Sequence, residues 1–264
     1  MSDEKCRRDL PVGFFDSGLG GLSVLKSALK ILPSEDYYYV GDSAHAPYGS
    51  RPAGEIRELT FSCVEKMRER GIKALVIACN TATAAAVTQV RERYPEMPVI
   101  GIEPALKPAV ERSRGGQIIV MATLMTLRQQ KFRNLLDQYA GRAWVTPVPC
   151  EGLMEFVEEG NLNGAELDSY FHRHLDPVAT DRLESIVLGC THYPFLKGHL
   201  RRYFSGRNID LIDGSDGTVR ELRRRLEETG LLRETGRKGT VEIENTAGEK
   251  MIARSRKLLS LPTD

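Results

Sequence analysis

The sequence lacks several features that would place it in a specialised class of proteins. Its 264 residues contain no apolar run approaching the ~20 residues that a membrane-spanning helix needs. The first residues, MSDEKCRRDLP, contain no apolar segment of the kind found in secretory signals. With 37 basic and 36 acidic side chains, the chain also lacks the basic excess of a nucleic-acid-binding protein. We therefore expect a cytoplasmic protein that binds neither membrane nor nucleic acid.

Cysteines are few, and their number is odd. There are five, and no two have CxxC spacing. Without a secretory signal, this pattern predicts reduced thiols in the cytoplasm. The length corresponds to one or two domains with their own cores, so no disulfide is needed to hold the chain together. The thiols to be explained are Cys6, Cys63, Cys79, Cys150 and Cys190.

Short apolar runs alternate with helical segments along the whole chain. Continuous apolar runs are typical of strands in a parallel sheet that is covered on both faces, so the sequence predicts an α/β fold. Ligands bind such folds at the carboxyl ends of the strands. Helices are predicted between the strands, and one of them covers residues 123–140. Strands are predicted over residues 11–15, 37–40, 73–78, 98–102, 117–122, 144–150, 185–189, 208–213 and 240–245.

Two pairs of segments resemble each other. KALVIACNT at 73–81 resembles ESIVLGCTH at 184–192, and GFFDSGLGG at 13–21 resembles DLIDGSDGT at 210–218. Two similar α/β halves facing each other would explain both pairs, and chance similarity of strand-to-helix turns is the alternative.

The turn DSGLGG at 16–21 is rich in glycine and lies between a predicted strand and a predicted helix. Such a turn suggests phosphate binding, but the third glycine of the dinucleotide pattern is replaced by Ser23. Asp16 would also repel a phosphate. An acidic strand end beside exposed N–H groups is better suited to a zwitterion. The alternative is a tight turn in which Asp16 caps the helix.

Cys79 and Cys190 each lie where a predicted strand ends and a helix begins. The helix dipole at such a position favours thiolate over thiol, which makes either residue a candidate base or nucleophile. Asn80, Thr81 and Thr191 add hydrogen-bond donors suited to a carboxylate.

Three other interpretations of these cysteines stay open. They could be ordinary core residues, zinc ligands together with His192, or the nucleophile of a cysteine–histidine hydrolase. The remaining cysteines are expected to be incidental, with Cys150 the least certain. His172 and His174 are expected on the surface, and residues 220–228 are expected to form a solvated helix face.

Five motifs, in this order, closely resemble those of the glutamate racemases. They are FDSGLGGLSVL (15–25), YVGDSAHAPYG (39–49), ACNTATA (78–84), GIEPALKPA (101–109) and LGCTHYPFL (188–196). The resemblance implies a cofactor-independent racemase without a metal, which interconverts L- and D-glutamate and supplies the D-isomer for peptidoglycan synthesis. It also implies a homodimer.

The resemblance further implies two α/β domains around a pseudo-twofold axis, with the active site in the cleft between them. The first domain would comprise residues 1–103 and 213–264, and the inserted second domain residues 104–212. By motif, Cys79 and Cys190 are the two catalytic acid/bases. Asp16 and His192 assist them, and Glu158 matches a catalytic glutamate of the family. The implied substrate-binding residues are Asp16, Ser17, Tyr48, Gly49, Asn80, Thr81, Thr123, Thr191 and His192.

The sequence departs from the family pattern at four positions. Ala122 stands where glycine is usual, Gln129 where serine is usual, His45 where arginine is frequent, and Glu151 where proline is usual.

Racemisation removes a proton from one face of Cα and delivers another to the opposite face. Two thiols, with ordinary pKa values of ~8.5, can provide one thiolate and one thiol near neutrality after modest tuning. We therefore hypothesise that Cys79 and Cys190 exchange roles between the two enantiomers. The alternatives are a related racemase, such as one for aspartate, and a non-catalytic amino-acid-binding protein whose thiols only pack.

Overall fold

The structure is a computed structural model that describes residues 7–233 and 236–261, so Cys6 and its expected incidental role lie outside the described residues. Strands and helices alternate, with short 3-10 turns at Ser43–His45, Tyr48–Ser50 and Tyr193–Leu196. The strands are β1 (Val12–Asp16), β2 (Tyr37–Gly41), β3 (Ala74–Ile77), β4 (Val99–Gly101), β5 (Gln117–Ala122), β6 (Trp144–Pro149), β7 (Leu183–Leu188), β8 (Asp210–Asp213) and β9 (Val241–Asn245). The helices are α1 (Leu22–Ile31), α2 (Ala53–Arg70), α3 (Asn80–Arg93), α4 (Leu106–Arg112), α5 (Leu124–Arg128), α6 (Gln130–Tyr139), α7 (Leu153–Glu159), α8 (Ala165–His174), α9 (Lys197–Tyr203), α10 (Ser215–Glu228) and α11 (Glu249–Ser260).

The strands form two sheets, and every pairing within them is parallel. The first sheet has the order β4-β3-β1-β2-β9, and the second has the order β6-β5-β7-β8. The predicted parallel α/β fold is therefore confirmed. Because neighbouring strands run in the same direction, the carboxyl ends of each sheet lie along one edge, where α/β proteins bind ligands.

The described residues divide into two compact units. One contains residues 7–102, 215–233 and 236–261, and the other is Glu103–Gly214. The first unit holds the five-stranded sheet and the second holds the four-stranded sheet. The predicted domain junctions, after residues 103 and 212, lie one and two residues from the junctions of these units.

The central strands are almost wholly apolar because both of their faces are buried. Every residue of β1, β2, β3 and β5 is buried. In the second unit Ile118, Val120, Val187 and Ile212 pack together with residues of α4 and α6. Burial stabilises the fold by about 1.5–3 kcal/mol for each large aliphatic side chain. It therefore holds each strand in one register, and this register determines which residues lie at the edges of the sheets.

The helix predicted over residues 123–140 is wrong in one respect. It is divided into α5 and α6 at Gln129, whose backbone is extended (φ −64°, ψ 137°). An extended residue cannot continue the α-helical ladder, and no glycine or proline marks this break in the sequence. Among the described residues, no helix is both long enough and apolar enough to cross a bilayer.

Candidate active site

Three neighbouring strands of the first unit end side by side. In the parallel register Asp16 is opposite Gly41, and Phe15 is opposite Ile77. The residues that follow β2 and β3 therefore emerge beside Asp16, at the carboxyl edge of the sheet. This arrangement brings together the predicted Asp16, Ser17 and Cys79.

Cys79 is the N-cap residue of α3. Its sulfur accepts a hydrogen bond from the backbone N–H of Ala82 (3.4 Å) and lies 3.2 Å from the Ser17 hydroxyl oxygen. Serine or aspartate is more usual at an N-cap, where the side chain accepts from the first turn of the helix. A sulfur that accepts the bond from the Ala82 N–H next to the positive end of a 14-residue helix is favoured as thiolate.

Asp16 turns back on its own loop. Its Oδ1 accepts a hydrogen bond from the Gly18 N–H at 2.8 Å. The interpretation of Asp16 as a helix cap is wrong: α1 begins after Gly21, and no side chain caps it. Gly21 is required because a Cβ there would lie 2.7 Å from Asp16 Cβ and 2.9 Å from Ala78 Cβ. The turn therefore brings α1 close to the carboxylate.

Asn80 and Thr81 form the first turn of α3 and are both buried. The side-chain oxygen of Asn80 is also buried, and it has no hydrogen-bond partner among the described residues. Buried polar atoms are nearly always paired, so an open acceptor of this kind suits a donor brought by a ligand, such as an ammonium group.

Tyr48 and Gly49 lie in the 3-10 turn that follows β2. The Tyr48 hydroxyl donates a 2.7 Å hydrogen bond to Asp42 Oδ2, and its ring packs against Phe15 with centroids 6.4 Å apart. Burial and the bond to Asp42 raise the pKa of the phenol, which keeps it a neutral donor. Asp42 is not among the residues predicted from the sequence, although its position directly after β2 could have indicated it.

In the second unit the cluster is centred on His192. Its Nδ1 lies 3.6 Å from Cys190 Sγ, and its Nε2 lies 2.7 Å from Glu158 Oε1 on α7. Burial alone would lower the pKa of His192, but the hydrogen bonds to Cys190 and Glu158 outweigh it and raise the pKa well above its ordinary value. The cluster therefore places the His192 imidazole between the Cys190 sulfur and the Glu158 carboxylate.

Thr123 and Thr191 lie at the same edge of the second sheet. Thr123 follows β5, the neighbour of β7, and caps α5 by accepting from the Thr126 N–H at 3.3 Å. Thr191 follows Cys190 directly and is buried. The predicted site residues of each unit therefore lie close together, near the carboxyl edge of that unit's own sheet.

The repeated segments of the sequence follow strands that are neighbours within each sheet. The strand before Cys79 is the neighbour of β1, which ends at Asp16, and the strand before Cys190 is the neighbour of β8, which ends at Asp213. One difference is that Asp213 is paired with Lys197 at 2.8 Å. The similarity of the sequence segments therefore has a counterpart in strand order.

The other cysteines and histidines have different surroundings. Burial raises the pKa of the Cys63 and Cys150 thiols to about 12, so both stay protonated near neutrality. His172 is exposed as expected, but His174 is half-buried and stacks on the Tyr170 ring at 3.9 Å. Within residues 7–233 and 236–261, no three His, Cys, Asp or Glu side chains are grouped to hold a metal ion.

Comparison with known proteins gives a consistent result. The sequence profile described as Asp/Glu/Hydantoin racemase matches residues 20–222. A glutamate racemase of Clostridium perfringens is 51% identical over 255 residues, which cover 96% of this chain and 98% of that protein. The chain belongs to the glutamate racemase family.

Solved structures of the glutamate racemase family share the fold. The Thermus thermophilus enzyme, in complex with β-chloro-D-alanine, has a TM-score of 0.81 at 32% identity and covers 96% of this chain and 94% of its own. The Francisella tularensis enzyme, in complex with D-glutamate, has a TM-score of 0.81 at 28% identity, with coverage of 96% and 95%.

The structure gives a local setting for three departures from the glutamate racemase pattern. Ala122 fits because its neighbour Gly189 has no side chain: a Cβ on Gly189 would lie 3.0 Å from Ala122 Cβ. Gln129 separates α5 from α6. His45 is half-exposed, with Nδ1 2.9 Å from Asp42 Oδ1.

Proposed function

We propose that this protein interconverts L- and D-glutamate without a cofactor, with Cys79 and Cys190 as the two acid/base groups. The observation that carries the proposal is the matched placement of the two cysteines. Each follows a strand at the carboxyl edge of its own sheet, next to a strand that ends in aspartate. Family membership supports glutamate as the substrate.

The proposed reaction consists of two proton transfers, one at each face of Cα. One cysteine, as thiolate, accepts the Cα proton and becomes a thiol, leaving a carbanion at Cα. The other thiol donates its proton to the opposite face of Cα and becomes a thiolate. The pair ends with its protonation states exchanged, and the reverse reaction restores them. The scheme requires one acid/base group at each face of the substrate Cα.

The surroundings of each sulfur suit this exchange in different ways. The α3 terminus and the Ala82 N–H stabilise negative charge on Cys79. His192 lies beside Cys190 and has Glu158 at its other ring nitrogen, and both contacts raise the pKa of the imidazole. Asp16 and His192 are proposed as the assisting groups.

The proposed substrate contacts are at the edges of the same two sheets. The open Asn80 oxygen suits the α-ammonium group, and so does the Tyr48 hydroxyl oxygen, whose own proton is donated to Asp42. The hydroxyls of Ser17, Thr81, Thr123 and Thr191 can donate to the carboxylates. The backbone N–H of Gly49 is the proposed contribution of that residue. Donors to the α-carboxylate would also stabilise the charge that develops at Cα.

Three wider proposals follow from family membership. The D-glutamate formed would supply peptidoglycan synthesis. The two units would be domains, and the chain would act as a homodimer. The thiols of Cys63, Cys79, Cys150 and Cys190, none of which is joined in a disulfide, are compatible with the reducing cytoplasm, where we propose that the protein works.

The decisive experiment measures the optical signal of L-glutamate, D-glutamate and L-aspartate incubated with the purified chain in D₂O. We expect racemisation of glutamate, with deuterium appearing at Cα of the product enantiomer. Cys79→Ala and Cys190→Ala should each lower kcat by about 10²–10⁴-fold, the usual contribution of one acid/base group. Cys63→Ala, a buried cysteine outside the proposed pair, is the matched control.

Each of the other outcomes would contradict a different part of the proposed function. Faster racemisation of aspartate than of glutamate would replace the substrate assignment. Normal rates in both cysteine variants would exclude the two-thiol mechanism. No loss of optical signal with any of these amino acids would exclude a racemase for them.

A further inference from the structure

Asp42 is a buried carboxylate that joins two distant parts of the first unit. It accepts hydrogen bonds from the Tyr48 hydroxyl (2.7 Å, at Oδ2) and from the Thr246 hydroxyl (2.7 Å, at Oδ1). His45 Nδ1 lies 2.9 Å from Oδ1. The backbone N–H of Asp42 donates to the carbonyl of Asp16 at 2.9 Å. Asp42 therefore links the proposed substrate-binding Tyr48 to the end of β1 and to residues near the end of the sequence.

Thr246 reaches Asp42 because β9 pairs in parallel with β2. Gly41 is opposite Asn245 in this register, so the chain leaves both strands at the same edge. The Thr246 hydroxyl donates to Asp42 and accepts from the Ala44 N–H at 3.0 Å, while its backbone N–H donates to the Gly41 carbonyl at 2.9 Å. One residue thus fixes both the Asp42 side chain and the turn at Ser43–His45.

Asn245 holds the same turn from the neighbouring position. Its side-chain amide donates to the Ser43 hydroxyl at 2.9 Å, and its side-chain oxygen accepts from the Ala247 N–H at 2.9 Å. This approach depends on Gly41, where a Cβ would lie 2.7 Å from Asn245 Nδ2 and 2.5 Å from the Gly18 carbonyl oxygen. The side chain at the end of β9 therefore packs directly against the backbone at the end of β2.

We propose that Thr246 is a positioning residue for the racemase reaction, which acts by holding Asp42 and, through it, the hydroxyl of Tyr48, while Asn245 holds the neighbouring turn at Ser43–His45. The inference rests on the proposed function, because Tyr48 matters only if the reaction takes place at this edge. Its physical basis is preorganisation: a hydroxyl held in one orientation before substrate binds loses no freedom when it binds. Thr246 and Asn245 need not touch substrate.

The test uses two threonines at opposite ends of β9. Thr246→Val keeps the shape of the side chain and removes its bond to Asp42. Thr240→Val is the matched control, since the exposed Thr240 hydroxyl donates to the carboxylate of Asp36 at 2.9 Å beyond the other end of the strand. We expect Thr246→Val to lower kcat/KM about tenfold, the effect of one hydrogen bond to a charged group. Thr240→Val should stay within about twofold. Thr246→Ser, which keeps the hydroxyl, should restore most of the activity.

A second measurement separates positioning from general loosening of the structure. In a Tyr48→Phe background the hydroxyl to be oriented is gone, so Thr246→Val should cost less than about threefold. A full tenfold penalty in that background would overturn the inference. Equal kcat/KM values for Thr246→Val and Thr240→Val would also overturn it.

The outcomes for the inference and for the proposed function are distinct. No racemisation by the unmodified chain would remove the proposed function and the inference together. An active unmodified chain with an unaffected Thr246→Val variant would remove the inference alone. Should Thr246→Val lose its native circular dichroism, the pair Thr246→Ala and Thr246→Ser carries the same comparison.

Discussion

His192 and Glu158 form a buried contact, with 2.7 Å between the imidazole Nε2 and the carboxylate Oε1. The other ring nitrogen faces Cys190 Sγ at 3.6 Å. Glu158 therefore acts on the sulfur through the imidazole. The contact joins α7 to the turn after β7, and its consequences can be tested in isolation from substrate.

Replacing Glu158 with glutamine should lower the pKa of His192. The amide removes the negative charge that favours imidazolium, while burial, which favours the neutral ring, remains. The measurement is an NMR titration of the His192 ring. The exposed Glu159, adjacent on α7, provides the control Glu159→Gln, which should leave the titration unchanged. An unaltered His192 pKa in Glu158→Gln would contradict the assigned cause.

The raised pKa of His192 also makes the stability of the folded state depend on pH, in a direction that can be predicted. Between the ordinary pKa of ~6.5 and the higher folded value, the folded state binds more protons than the unfolded state. The stabilisation is therefore complete below ~6.5 and is lost as pH rises through the folded pKa. We expect the stability difference between the unmodified chain and Glu158→Gln to be largest at low pH within this window and to shrink as pH rises. Urea unfolding at several pH values measures it, and a difference that grows with pH would refute the prediction.

The sequence was sufficient to predict which residues follow the strands at the edges of the sheets. It was not sufficient to predict which distant side chains contact those residues. Cys79 and Cys190 could be located because each follows a short apolar strand, and such strands are buried on both faces in a parallel sheet. Glu158 meets His192 only because α7 packs beside that turn, and no local pattern encodes this contact. Thr246 meets Asp42 because β9 pairs with β2 across about two hundred residues, a separation that strand propensity does not resolve.

The buried ion pair of Lys73 and Glu35 should make the stability of the first unit sensitive to the loss of either charge alone. The two charged atoms are 2.5 Å apart, and both side chains are almost fully buried. Lys73 also donates to the carbonyls of Arg8 (2.7 Å) and Leu231 (2.9 Å). Lys73→Met leaves the Glu35 carboxylate buried without its cation, and we expect a loss of about 3–5 kcal/mol in unfolding free energy.

The control for this pair is the double variant Lys73→Met with Glu35→Gln, which removes both charges. Its loss should be smaller than the sum of the two single losses, because each single change strands the other charge. Lys73 precedes β3 at its amino end, opposite the edge that carries Cys79, so kcat of the folded fraction should not change. Strict additivity in denaturant unfolding would show that the two groups do not interact.

Gly189 should tolerate no side chain next to Ala122. A Cβ at position 189 would lie 2.9 Å from the Met121 carbonyl oxygen and 3.0 Å from Ala122 Cβ, closer than such atoms normally approach. We expect Gly189→Ala to cost about 1–3 kcal/mol through overpacking. It should also lower activity, because Cys190 follows immediately. Adding Ala122→Gly removes one of the two clashes and leaves the carbonyl contact, so the double variant should recover part of the melting temperature and not all of it. Full recovery would assign the strain to the Ala122 methyl alone, and no recovery would assign it to the backbone of β5.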